Sequence, residues 1–343
     1  METLLLLSVL GVALFFRFEN VLTGLGSGRV VEAWGDGLKT YTNALYHIRH
    51  DSTYTWFEGM NYPFGEHIAQ ATEMPLVSLI LKALYENGFP QADAWVIPAV
   101  HLSMIGSWWL AGLFLFWIFR GAGLPFWWSL PVSVGLVFLA PQTLRFQAHF
   151  GLAHLFPIPF ALWVLQRFEA RPHLRWSLLM AVGVVISALL HLYFLGLLAL
   201  LIGAFLGFRI LLERDWRLLP TYACHGMLML GLPILFFYFW MMAPDPVNDR
   251  TSIPWGLWHY NSSLTGILST QELPLYRWMD AHLFPFRKVP FEGRAYVGLV
   301  GVLFGVWALG WGLQRVFRGA GRGNGPLPEG AYFRALLWTG VAA

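Results

Sequence analysis

The run "WSLLMAVGVVISALLHLYFLGLLALLIGAFLGFRILL", Trp176 to Leu212, decides the fold class. As a single helix rising ~1.5 Å per residue it would be about 55 Å long. The hydrocarbon core of a bilayer is only about 30 Å thick. One crossing cannot use that length, so the run must fold back. The polar break between His191 and Gly196 is the expected place. The expected fold is therefore all-α: a multi-pass transmembrane helix bundle.

The same length test, applied outward, gives spans at 3–18, 95–119, 125–141, 146–166, 176–191, 193–212, 222–243 and 295–313. Composition agrees. Of 343 residues, 57% are hydrophobic and 12% charged, about half the charge of a soluble domain. The 18 tryptophans and 28 phenylalanines are the residues that gather at bilayer interfaces. A net charge of +3 without a basic run indicates no nucleic-acid partner. Cys224 stands alone in "YACHGMLML", so neither an internal disulfide nor a thiolate metal cluster can form. The N-terminal apolar run lacks a basic leader and a small-residue cleavage site, so it is expected as a retained first helix. The final "YFRALLWTGVAA" starts like another span and stops short, as if the chain were truncated at its C-terminus.

Charge gives an orientation. With a cytoplasmic N-terminus, Arg120, Arg167, Arg171, Arg175, Arg209, Arg214, Arg217, Arg315, Arg318 and Arg322 all fall on inner connections, as the positive-inside rule requires. Two long extracytoplasmic loops remain, 19–94 and 244–294. The first carries nine acids against four bases. The whole of 1–343 then reads as one membrane domain.

Loop 19–94 holds the polar stretch "GDGLKTYTNALYHIRHD". Leu38, Tyr41, Leu45 and Ile48 recur at helical spacing, predicting an amphipathic helix that lies along the membrane. Asp36 stands at its start between two glycines. It is either a helix cap or a catalytic or metal-binding carboxylate at a turn that lets a ligand approach closely. Glu73, before a second amphipathic helix with Lys82 on its polar side, is either a helix-start acid or the site's second carboxylate. Asn61 to Gly65, with Tyr62 a candidate substrate contact, is a turn signal. His101, His149, His154 and His191 all fall at or within the outer half of the bundle. Each alone reads as a packing histidine, but four at one depth point to a polar cavity open to the outside. Glu292 and Arg294 stand at the mouth of the last span, beside Arg287 and Lys288. Arg294 is either a snorkelling base or a bidentate partner for a lipid-linked phosphate.

In layout, and in "GDGLKTYTNALYHIRHD", "MNYPFGEHI", "FQAHFGLAHLFPIPFALW" and "FEGRAYVGL", the chain resembles the GT-C superfamily of membrane glycosyltransferases, in particular its YfhO-like and uncharacterised bacterial groups. The resemblance implies transfer of a sugar from a polyprenyl-phosphate donor to an extracytoplasmic acceptor, in the bacterial inner membrane. Asp36 would be the catalytic base, and Asp36 with Glu73 the ligands of a divalent ion such as Mg or Mn. The histidines, Tyr62, Glu292 and Arg294 would contact substrate. The first loop has no adjacent Asp–Glu pair and the late loop no Trp-Trp-Asp motif, which leaves the acceptor open. The rival readings are a flippase for lipid-linked sugars or a small-solute transporter, with the histidines lining its path, and a non-catalytic scaffold.

Overall fold

The computed structural model describes residues 1–31, 35–147, 149–213, 216–246, 262–268, 274–283, 298, 301–303, 305–307 and 310. They fall into two units, Met1–Asp245 and Pro246–Ala343.

The first unit is helical. Its elements run α1 (Glu2–Arg17), α2 (Glu19–Leu22), α3 (Gly35–Arg49), a two-stranded hairpin β1–β2 (Trp56–Phe57, Glu66–His67), α4 (Ile68–Ala71), α5 (Pro75–Glu86) and α6 (Val96–Gly121). They continue with α7 (Phe126–Leu139), α8 (Pro157–Ala170), α9 (Leu174–Leu190), α10 (Tyr193–Glu213), α11 (Leu218–Gly226) and α12 (Leu232–Phe237). Among the described residues, three helical stretches are long and apolar enough to cross a membrane: Pro90–Gly121, Tyr193–Leu211 and Leu218–Met242. In the last of these, α11 and α12 are each followed by a π turn. Helices α7 and α9 are apolar but shorter. Trp176–Leu212 does fold back: α9 ends against His191, which is extended, and α10 starts two residues later.

Helix α1 runs antiparallel to α6, since Glu2 meets Arg120, whereas α6 and α8 run parallel, with Ser107 at Leu155 and Ile118 at Gln166. Helix α6 packs on α1, α7 and α8, and α8 on α9 and α10. At one end Arg120 of α6 meets Glu2 of α1 at 3.1 Å, while Glu169 of α8 receives Arg209 at 2.7 Å and the Tyr222 hydroxyl at 2.9 Å. At the opposite end the rings of Phe18, Trp108 and Phe146 close over the chain crossings. The polar segment of 35–75 gathers at this second end.

One expected helix differs. Residues 146–166 do not form a single span; α8 begins only at Pro157, which with Pro159 opens a helix rather than continuing one. The approach to it is two 3₁₀ turns, Pro141–Gln147 and Gly151–Ala153. Backbone groups that such a buried segment leaves without helical partners need other ones. Helix α6 supplies them. The Ser107 hydroxyl accepts from the amides of Leu155 and Phe156 at 2.7 and 3.1 Å, and Trp108 Nε1 donates to the Ala153 carbonyl at 2.8 Å.

Helix α3 packs against α5, and its buried face is not the expected stripe. Tyr41 and Ile48 are buried, but Leu38 is exposed, and Thr40, Asn43 and His47 point inward. Lys82, expected on the polar side of α5, is buried instead. Its ammonium donates to the carbonyls of His47 and Asp51 at 2.9 and 2.6 Å and reaches Glu86 at 3.1 Å. A cation on the last carbonyls of a helix offsets their unpaired negative ends.

In the second unit, helices Leu264–Leu268 and Pro274–His282 are tied by the Tyr276 hydroxyl to the Leu268 carbonyl at 2.8 Å. Most of the eighth expected span, 295–313, and all of 332–343 lie outside the described residues.

Candidate functional site

Three side chains from three separate segments converge at the end of the bundle where the polar segment lies. Gly35, at φ +61°, turns the chain into α3 in a conformation that favours glycine, and Asp36 follows in the first turn. Glu73 comes two residues before α5, whose start at Pro75 keeps it on the connection from α4. His149 comes from the irregular approach to α8. His149 Nδ1 lies 3.4 Å from Asp36 Oδ2 and 3.4 Å from Glu73 Oε1. One ligand atom from each of the three falls within 4.8 Å of the others. Asp36 is half exposed, and His149 and Glu73 are progressively more covered, with side chains 25% and 14% exposed.

The surroundings sharpen this arrangement. The Gly151 amide donates to Glu73 Oε2 at 3.3 Å. The Gly151 carbonyl accepts from His154 Nδ1 at 2.9 Å, so the proton of that neutral ring sits on Nδ1. A Cβ at residue 151 would lie 2.4 Å from His191 Cδ2, 2.8 Å from the Glu73 carbonyl oxygen and 2.9 Å from that of Leu190. Only glycine lets these three strands of chain approach. The hydrogen bond and charge of Glu73, with Asp36 adding, hold His149 above its ordinary 6.5, against burial and the Arg145 charge. An imidazolium between two carboxylates compensates their repulsion.

Of the sequence-derived candidates, Asp36, Glu73 and His149 meet directly, with His154 and His191 packed around Gly151 behind them. His101 stands apart from the triad. Its Nε2 meets the Tyr41 hydroxyl at 2.6 Å, and Tyr41 in turn contacts Phe150 at 5.2 Å between ring centroids. His101 thereby links α6 to the underside of α3. Tyr62 sits on the β1–β2 turn, 92% exposed, and makes no contact with the triad among the described residues. Glu292, Arg294, Arg287 and Lys288 lie outside the described residues. Sequence reasoning missed three contributors. Gly151 has no chemical signal of its own, Tyr41 reads as one more apolar helix position, and Arg145 is a single base in the short connection 142–145. Its charge acts on His149.

Asp36, Glu73 and His149 could together hold a divalent ion. Two carboxylates and one imidazole suit manganese or a similar borderline metal better than magnesium, which prefers oxygen alone. The side chains present are those that could also exchange a proton with a substrate hydroxyl at Asp36, the open side of the triad.

A family profile, described as a domain of unknown function (DUF6311), matches residues 5–328, and the chain belongs to that family. No curated protein and no solved structure matches it.

Proposed function

We propose that this member of the DUF6311 family is a membrane glycosyltransferase, moving a sugar from a polyprenyl-phosphate donor to an acceptor outside the membrane. The observation that carries the reading is the convergence of Asp36, Glu73 and His149, from positions far apart in the chain, at the end of the apolar bundle where its helices turn. The protein is read as a multi-pass bundle of the bacterial cytoplasmic membrane, with its N-terminus in the cytoplasm and the triad on the far side. A lipid-linked donor would then reach the site from the bilayer and the acceptor from the aqueous side.

In this reading Asp36, the exposed member, takes the proton of the acceptor hydroxyl as that oxygen attacks the anomeric carbon and the bond to the lipid phosphate breaks. Glu73, held by the Gly151 amide, keeps the geometry and shares the cationic charge of His149. Arg145, whose charge acts on His149, would be a base able to offset charge on the departing phosphate, beside Arg294, which the resemblance gives that role. A divalent ion would take the place of the His149 proton, held by Asp36, Glu73 and the neutral ring, and would then supply the positive charge that offsets the leaving group.

The test is turnover by the purified protein in nanodiscs, supplied with radiolabelled polyprenyl-phosphate sugars and a membrane-lipid acceptor fraction. Label should leave the donor, and Asp36→Asn should slow the reaction at least ~100-fold, in the range of general-base contributions. Donor binding and thermal stability should change little, because Asp36 is half exposed and the ion pair with His149 that Asn gives up is partly solvated. Wild-type protein that binds no donor of the panel, or an Asn variant as active as wild type, would overturn the proposal.

A further inference from the structure

We propose that the tip of the β1–β2 hairpin is an aromatic anchor that dips into the headgroup boundary of the bilayer beside the helical stretch Leu218–Met242. Residues Asn61, Tyr62, Pro63 and Phe64 are exposed in succession and none carries a charge. Tyr62 is 92% and Phe64 74% exposed, an unusual presentation for two large rings on a short turn. The turn beneath them is braced. The amides of Phe64 and Gly65 donate to the Asn61 carbonyl at 2.8 and 3.2 Å, and Trp56 Nε1 donates to the Phe64 carbonyl at 3.1 Å. Asn61 Nδ2 donates to Glu66 Oε2 at 2.9 Å, which ties down the nearest carboxylate. Gly65, at φ +66°, lets Trp56 pass within 2.6 Å of where a Cβ would stand. The tip is thus a fixed projection with its rings outward.

What it projects beside follows from the hairpin's base. Phe57 and Ile68 are core residues there, and Met60 and Trp240 pack against them. His67 meets the Trp240 ring edge-on at 4.4 Å. Trp240 stands two residues before the end of the Leu218–Met242 stretch, which is long and apolar enough to cross a membrane. The base of the hairpin therefore sits at the level where that helix leaves the hydrocarbon. From Phe57 to Tyr62 the chain can extend at most about 18 Å, which leaves the interface within reach of the tip. Tyrosine and phenylalanine with no charge between them suit that boundary, where a ring is favoured and a tyrosine hydroxyl finds water. The proposal rests on Leu218–Met242 crossing a membrane, and is independent of the chemistry of the triad.

The experiment uses the full chain in lipid nanodiscs on a Cys224→Ser background, with a nitroxide at Tyr62→Cys, Phe64→Cys or Leu235→Cys, the last on the exposed face of α12. Accessibility to oxygen, which concentrates in lipid, is compared with accessibility to a water-soluble nickel complex. Labels at 62 and 64 should favour oxygen, less strongly than the label at 235. Adding Phe64→Ser to the label at 62 should move it toward the nickel complex. Nickel access at 62 and 64 equal to that of a free aqueous nitroxide, with 235 in lipid, would overturn the anchor while leaving the span. A label at 235 that reads as aqueous would remove the span and the anchor with it. An aqueous tip that loses nickel access only when a soluble glycan is added would also overturn it, in favour of a carbohydrate contact.

Discussion

At residue 151 the absence of a side chain carries several contacts at once. The amide positions Glu73, the carbonyl orients His154, and the space where a Cβ would stand is filled by His191 and two carbonyls. Gly151→Ala must push backbone as well as a ring, an overpacking cost of about 1–3 kcal/mol. It should lower the unfolding temperature and, by displacing Glu73, weaken manganese binding to the purified protein measured by calorimetry. Gly196→Ala, where nothing lies within 4 Å of the added carbon, should do neither. Equal behaviour of the two variants would mean that the crossing at 151 is not confining. Asp36, Glu73 and His149 were all legible as candidates, because ionisable groups are conspicuous in so apolar a chain. Gly151 was not, since its importance lies in what other residues place around it.

At the scale of the element, the helix pair α3 and α5 shows what hydrophobic spacing reports and what it misses. Both helices lie where their periodicity puts them. The spacing of leucines misjudged the buried face of α3, because Asn43 reaches the Ala71 carbonyl at 2.6 Å and His47 reaches Asp51 at 2.6 Å. Partners at Ala71, far along the chain, and at Asp51, one helical turn on, turned polar positions inward. Likewise, hydropathy alone treats a buried irregular segment and a helix alike, which is why 146–156 was read as span; Pro157 and Pro159 were the available signal for a later start. His47 yields a pH prediction. Burial is the largest influence and pushes it below its ordinary 6.5, with the Lys82 charge acting the same way and the Asp51 contact opposing. The unfolded chain then binds more protons below about pH 6.5, so stability falls as pH drops from there through the lowered folded value. Thermal unfolding in detergent should fall between pH 7.5 and 5.5, and His47→Gln should shrink that fall. An unchanged pH slope in the variant would assign the acid sensitivity elsewhere.

Over the whole of the first unit, the two ends differ in character. One is held by the Arg120–Glu2 and Arg209–Glu169 pairs, the other carries the triad and the hairpin. The arginine-marked connections were readable from sequence, because the positive-inside bias acts on single loops without any tertiary contact. Impermeant maleimide applied to intact cells, with Cys224→Ser in place, should therefore label Glu58→Cys and spare Arg171→Cys, both exposed positions. The reverse pattern would invert the molecule and move the triad to the cytoplasm. Assembly of the triad also has an order in time. Asp36 and Glu73 leave the ribosome long before His149, so the growing chain carries two facing carboxylates without the imidazole that reconciles them. Docking of the approach to α8 therefore adds the third member of the triad to an α3–α5 pair that already holds the other two.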